Sequence, residues 1–130
     1  MSLTIDHIED LPKNTGKPDN FSGAVYHQRV AAAPDGSMSV ARVTFAQGAR
    51  TFWHTHTGGQ VLYFMEGRGR AQVRGEPAVD AVVGDVVRIP PMAEHWHGAH
   101  PDEAQQMRHM AMSVGAVTWL DAVAEEEYRA

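Results

Sequence analysis

The sequence predicts an all-β sandwich or barrel folded as one domain, and three observations carry that reading. From Gly23 onward, apolar and β-branched residues come in eight or nine short runs, each closed by Gly, Pro or Asp. Nothing between those runs is long enough for the helices of a parallel βαβ fold. The chain has 130 residues, 43% of them hydrophobic and 21% charged, which suits a single globular domain able to bury a core without staples. A formal net charge of −5 argues against nucleic acid or an anionic membrane as the main partner. No apolar run approaches the length of a membrane span. The mixed acidic and apolar start, residues 1–10, does not read as a signal peptide, so the expected setting is cytoplasmic.

Each element follows from its breakers. Residues 1–22 read as an N-terminal arm, because residues 10–20 are crowded with turn formers and carry no period; residues 23–130 form the single domain. Strands over 24–30 and 38–45 flank Pro34-Asp35-Gly36, where a fixed φ, an Asx turn and a positive φ combine. Strands over 51–56 and 60–66 are separated by Thr57-Gly58-Gly59. A strand over 70–74 lies between Gly67-Arg68-Gly69 and Gly75-Glu76-Pro77. Strands over 79–83 and 86–89 are split by the tight-turn pair Gly84-Asp85. Strands over 95–100, after Pro90-Pro91, and over 107–114 close the series. The C-terminus reads as a short helix, with Thr118 as cap, Asp121 three residues on, and Leu120, Val123 and Ala124 as its apolar stripe. Glu125-Glu126-Glu127 reads as a solvated face.

The chain carries eight histidines and no cysteine. That excludes a disulfide scaffold, a thiolate metal site and a cysteine nucleophile. His54 and His56 stand at i and i+2 of a strand, so both face one way and can reach one ion. Gln60 follows the Gly58-Gly59 turn and can point back into the same space, and His95 begins a later strand. Three imidazoles and an amide oxygen make a four-ligand set with one or two positions left open; such donors suit Mn, Fe, Ni, Co or Zn alike. A neutral Gln leaves a divalent site near +2, a stronger Lewis acid that attracts anions, alkoxides or cyanide. His97 is i+2 from His95 and faces the same interior, and an imidazole beside a cation stays neutral, as a general base must. His109 lies on a strand alternating Met107, His109 and Ala111 against Arg108, Met110 and Met112, and the alternation does not decide which set is inside. His100, of opposite parity to His95 and next to Pro101, reads as exposed, while His7 and His27 have no evident partners. Trp53, Phe64, Met65, Met110 and Met112 read as core or cavity wall, and Arg42, Arg50 and Arg88 as surface strand positions.

Two motifs resemble those of the cupins. Gly48, five residues, His54-x-His56, three residues, Gln60, six residues and Gly67 is similar to their first motif, with Gln in place of the usual Glu. Gly84, five residues, Pro90 and then His95 is similar to the second, departing at Met92, where cupins tend to have Gly, and at Ala99, where many have Asn. The resemblance implies a double-stranded β-helix, or jelly-roll, barrel. Val43-Thr44-Phe45, Gly48-Ala49-Arg50-Thr51, Trp53-His54-Thr55-His56, Gly59-Gln60, Gly84-Asp85-Val86-Val87 and His95-Trp96-His97-Gly98-Ala99 further resemble the small bacterial cupin hydroxynitrile lyases that use manganese. That likeness runs from about Phe21 to the end, where Trp119 and Glu127-Tyr128 also fit. It implies manganese held by His54, His56, His95 and Gln60, His97 as catalytic base, and His109 as a further active-site histidine. It also implies self-association through sheet edges and the arm, as a homodimer or homotetramer.

The expected function is therefore a metal-dependent lyase that cleaves or forms cyanohydrins from an aldehyde or ketone and cyanide. A cupin dioxygenase or isomerase acting on a small carbonyl or phenolic substrate is one alternative. A non-enzymatic cupin that binds a small molecule is the other.

Overall fold

Breakers divide the chain into short strands that leave one sheet and join another, and the structure, a computed structural model describing residues Met1–Ala130, shows where each goes. The strands are β1 (Asn14–Thr15), β2 (Phe21–Ser22), β3 (Val25–Ala32), β4 (Met38–Phe45), β5 (Arg50–Thr51), β6 (His54–His56) and β7 (Gln60–Glu66). They continue as β8 (Gly69–Val73), β9 (Val79–Ala81), β10 (Val86–Ile89), β11 (His95–Ala99), β12 (Met107–Val114) and β13 (Val117–Trp119), followed by helix α1 (Glu125–Arg129). A single 3-10 turn covers Ile8–Asp10. Six strands form one sheet in the order β1-β3-β4-β12-β7-β10. The other sheet runs β13-β6-β11-β5-β2, with β8 on β11 and β9 on β8. Antiparallel pairing throughout makes this the all-β barrel the sequence predicts.

The strands expected over 38–45, 60–66, 86–89 and 107–114 coincide with β4, β7, β10 and β12. Between β3 and β4, Asp35 Oδ1 accepts the Ser37 N–H at 3.0 Å while Gly36 takes φ 77°, the predicted Asx turn. Three expectations are corrected. The run over 51–56 breaks into β5 and β6, because Phe52 N–H donates to Asn20 O at 2.8 Å and Trp53 N–H to Asp121 O at 2.9 Å, outside either ladder. Gly84-Asp85 does not close a hairpin: β9 pairs β8 and β10 pairs β7, so the turn carries the chain across the barrel. Thr118 is not a helix cap but the middle of β13, paired with Thr55 of β6, and the helix begins only at Glu125. Val117-Thr118-Trp119 is β-branched and aromatic, and it covers the otherwise open edge of β6. Within residues 1–22, β1 pairs β3 and β2 pairs β5, so this segment touches both sheets.

Between the sheets lies an apolar core built on Phe45, Leu62, Phe64 and Met107, all fully buried. It fills one end of the barrel and leaves the other to polar side chains. A second cluster, Trp53, Trp96, Val123 and Tyr128, packs on the outer face of β11. There the Tyr128 hydroxyl donates to Ala99 O, and the Arg50 guanidinium lies 4.2 Å from the Tyr128 ring centroid while donating to Val123 O at 2.9 Å. Arg50 is thus buried by the C-terminal segment, and Arg42 is buried against Gln28 and Glu9; only Arg88 keeps the exposed strand position expected of all three. Gly98 lets β5 lie against β11: a Cβ there would stand 2.5 Å from Ala49 O and 2.5 Å from Arg50 Cβ. Gly98→Ala should therefore force the two strands apart and cost about 1–3 kcal/mol, read as a lower urea midpoint at unchanged slope. A wild-type midpoint would show that the strands accommodate the methyl group.

Candidate metal centre

β6 and β11 are antiparallel neighbours with His54 opposite His95, and this one register brings histidines far apart in sequence together. His54 and His56 share a face of β6, as His95 and His97 share a face of β11. Ring centroids are 4.2 Å apart for His54 and His95, 5.0 Å for His54 and His56, and 5.7 Å for His56 and His95. Gln60, at the start of β7, completes the group from the opposite sheet: its Oε1 is 3.0 Å from His95 Nε2.

The hydrogen bonds decide what these groups offer. His54 Nδ1 meets Phe52 O at 2.9 Å and His95 Nδ1 meets Ala93 O at 2.9 Å. Each carbonyl can only accept, so each imidazole carries its proton on Nδ1 and presents a bare Nε2. His56 Nε2 is buried with no partner at all. Between His95 Nε2 and Gln60 Oε1 two lone pairs then face each other at 3.0 Å, a contact that a cation relieves. The amide nitrogen is turned away, donating to Ser113 Oγ at 2.9 Å. Neutral N and O donors with unspent lone pairs aimed at one another are what a divalent ion of the Mn-to-Zn series requires, so the residues present fit such an ion. Ligand atoms of His54, His95 and His97 lie within 4.8 Å of one another, and these three buried histidines can hold a metal.

His97 differs from its neighbours in how its ring is held. Its Nδ1 lies 2.8 Å from His109 Nε2 rather than against a carbonyl, and its Nε2 is buried without a partner. The backbone N–H of His97 donates to Thr51 Oγ1 at 3.1 Å. Met107, His109 and Ala111 turn out to be the inward set of β12, with His109 between the rings of Phe45 and Phe64 at 5.1 and 5.4 Å. Met112 is accordingly exposed, not core or wall, while Met65 and Met110 are half-buried and Trp53 and Phe64 fully buried.

Opposite the histidines a cavity of about 700 Å³ opens. Small side chains of Ala41, Val43 and Ala111 make the space, Phe21 and Trp119 form an aromatic wall, and Lys17 and Asn20 stand at the rim. None of the 20 lining residues is Asp or Glu. His27 also lines it, although the sequence offered it no partner; its parity with buried Val25 on β3 was the available signal. His100 is 6% exposed, not open as expected. Its ring is held between Arg70 of β8 and Asp80 of β9, each at 3.3 Å, two residues paired with each other beside the end of β11.

With no carboxylate nearby, burial keeps the imidazoles uncharged. It lowers His56 to about 4, with His95 adding to the effect, and lowers His109 to about 4. His54 and His97 are pushed well below their ordinary value by the same burial, and His95 is lowered too. In the unfolded chain each would titrate near 6.5, so the unfolded state binds more protons between pH 6.5 and 4. Stability is therefore complete above pH 6.5 and falls as pH drops through that window. In the metal-free protein His109 alone should cost about 2 kcal/mol at pH 5, so the urea midpoint should fall clearly between pH 7 and pH 5. A midpoint independent of pH across that interval would mean that these imidazoles are not buried neutral.

The comparisons with known proteins agree with this geometry. A family profile described as "Cupin domain" matches residues 41–112, more than half of the chain. An (R)-mandelonitrile lyase from Granulicella tundricola is 39% identical over 132 residues, covering 98% of this chain and 99% of that protein. The crystal structure of a cupin-like protein from Thermotoga maritima superposes with a TM-score of 0.84 at 42% identity, over 92% of this chain and 94% of the other. An acetylacetone dioxygenase from Acinetobacter johnsonii reaches a TM-score of 0.74 at 14% identity, over 95% and 85% of the two chains, a likeness of fold alone. By the histidine register, the two-sheet barrel and these relatives, the chain belongs to the cupin family.

Proposed function

We propose that this chain is a metal-dependent lyase that interconverts a cyanohydrin with an aldehyde or ketone and hydrogen cyanide. The observation that carries the reading is His97: a buried, neutral imidazole with a free Nε2, set in the same inward row as His95 and held from behind by His109. The 39% identical relative bearing the name (R)-mandelonitrile lyase supports the same chemistry. His54 and His95, each locked as a bare Nε2 by a carbonyl, are read as ligands together with His56 and Gln60. His97, whose Nδ1 is given to another histidine, is read as the base. A divalent ion held by those four residues, manganese on the sequence resemblance, supplies Lewis acidity that lowers the pKa of a substrate hydroxyl.

The protein's own residues do the rest. His97 Nε2 takes the hydroxyl proton, which requires that His97 Nδ1–H point at His109 Nε2. In that tautomer His109 Nε2 accepts the His97 Nδ1–H and shares the imidazolium charge that forms. As the carbon–carbon bond to the nitrile breaks, its electron pair leaves with cyanide while the carbonyl forms. His97 then returns its proton to cyanide, and hydrogen cyanide departs. Phe21, Trp119 and the alanines opposite them take the organic part of the substrate, and an acid-free lining does not repel cyanide.

Dialysis against a strong chelator should abolish mandelonitrile cleavage, and Mn(II) should restore it with no uptake of dioxygen. Oxygen consumption during turnover, or full activity without metal, would move the chain to another class of cupin. His97→Ala should lower kcat by about 100- to 10,000-fold at unchanged metal content. Unchanged rate would remove His97 as the base, and lost metal would reassign it as a ligand.

A further inference from the structure

Met1, Leu3 and Ile5 alternate with Ser2, Thr4 and Asp6, so an extended backbone places the three apolar side chains on one side. Every residue from 1 to 7 is exposed, Leu3 at 100% and Ile5 at 98%. The segment is rooted on the outer face of the six-stranded sheet. There Ile8 O accepts from Gln28 Nε2 at 2.9 Å and Glu9 pairs with Arg42 at 2.8 Å, which buries Gln28 and Arg42 on the outward side of β3 and β4. The rest of that face is bare and apolar. Met112 stands between Val40 and Val61, and Tyr63 between Met110 and Val86, in two adjoining rows across β4, β12, β7 and β10. Tyr63, Val86 and Met112 are exposed and the other three half-buried. A contiguous apolar patch of this kind marks a contact surface.

The face thus has a raised half, where residues 8–11 lie over β3 and β4, and a bare half over β12, β7 and β10. Turned about a twofold axis along β12, a second copy sets its bare half against the first copy's raised half, and the reverse. One chain carries both sides of that step, so a second copy is the partner whose shape is already given. Seven extended residues span about 23 Å, and β10 lies only about 10 Å from β12. Each exposed segment is therefore long enough to cross the bare strands of the other copy. Charge agrees, since Asp6 on the segment and Arg88 on the outward side of β10 have no ion-pair partner in their own chain. We propose that two copies of this chain pair through the outer face of the six-stranded sheet, with residues 1–7 of each laid over β12, β7 and β10 of the other. The sheet contributes a face and not an edge. Neither the metal reading nor the lyase reading enters.

Sedimentation at micromolar chain concentration should show a dimer. Leu3→Asp together with Ile5→Asp should weaken it about 100-fold, and Tyr63→Lys should weaken it from the sheet side, with the circular dichroism spectrum unchanged in both. The chain has no cysteine, so a cross-link can be placed cleanly. A chain carrying Leu3→Cys and Tyr63→Cys, treated with a short bis-maleimide, should be linked to a second chain and not within itself. A wild-type chain that sediments as a monomer overturns the proposal. So does an assembly that both sets of substitutions leave intact, or one that responds to only one of them. A link formed within a single chain would mean that residues 1–7 fold back on their own sheet, and it overturns the proposal as well. The cross-link decides the matter should a substituted chain fail to fold.

Discussion

Five imidazoles crowd one end of the barrel, His54, His56, His95, His97 and His109, all buried and without a carboxylate among them. Burying an unpaired charge is far costlier than burying a neutral ring, so the cluster persists only if each ring stays neutral. A neutral imidazole has one proton to give and one lone pair to place. The chain disposes of the protons by local means: carbonyls at Phe52 and Ala93 take two, each from the residue two positions before the histidine it serves. His97 and His109 share another between them. The lone pairs that remain are left facing inward, and the site's chemistry is that surplus.

That arrangement explains features of the fold that otherwise look incidental. The interruption between β5 and β6 frees the backbone around Phe52, so that its carbonyl can serve His54 instead of a ladder. The same interruption sends Trp53 to the back of the sheet, where it joins Trp96, Val123 and Tyr128. Arg50 ties that rear cluster to β5 through Val123 O, and the next residue, Thr51, accepts the backbone N–H of His97. The C-terminal segment therefore supports the site from behind without entering it.

Strand boundaries were legible because Gly, Pro and Asp mark them, and the inward parity of His54, His56, His95 and His97 follows from a period of two. Contacts between distant segments were not legible. The break at Phe52-Trp53 lies in a run with no Gly, Pro or Asp to mark it and depends on carbonyls at Asn20 and Asp121. β13 is three residues long and is a strand only because β6 has an edge to cover, so a local reading absorbed it into the helix that follows. His100 is buried because Arg70 of β8 and Asp80 of β9, paired beside the end of β11, close on its ring, which no local spacing records. In the site, spacing suggested which side chains meet, but which nitrogen carries a proton depends on carbonyl directions set by the folded loops.

The three tryptophans divide along the same line. Trp53 and Trp96 belong to the rear cluster, shielded from the cavity. Trp119, half-buried, stands in the cavity wall with its ring 4.6 Å from His54 and 5.5 Å from Phe21. The molecule thus contains its own optical gauge: two indoles whose emission tracks the integrity of the barrel's back, and one whose emission tracks what enters the front.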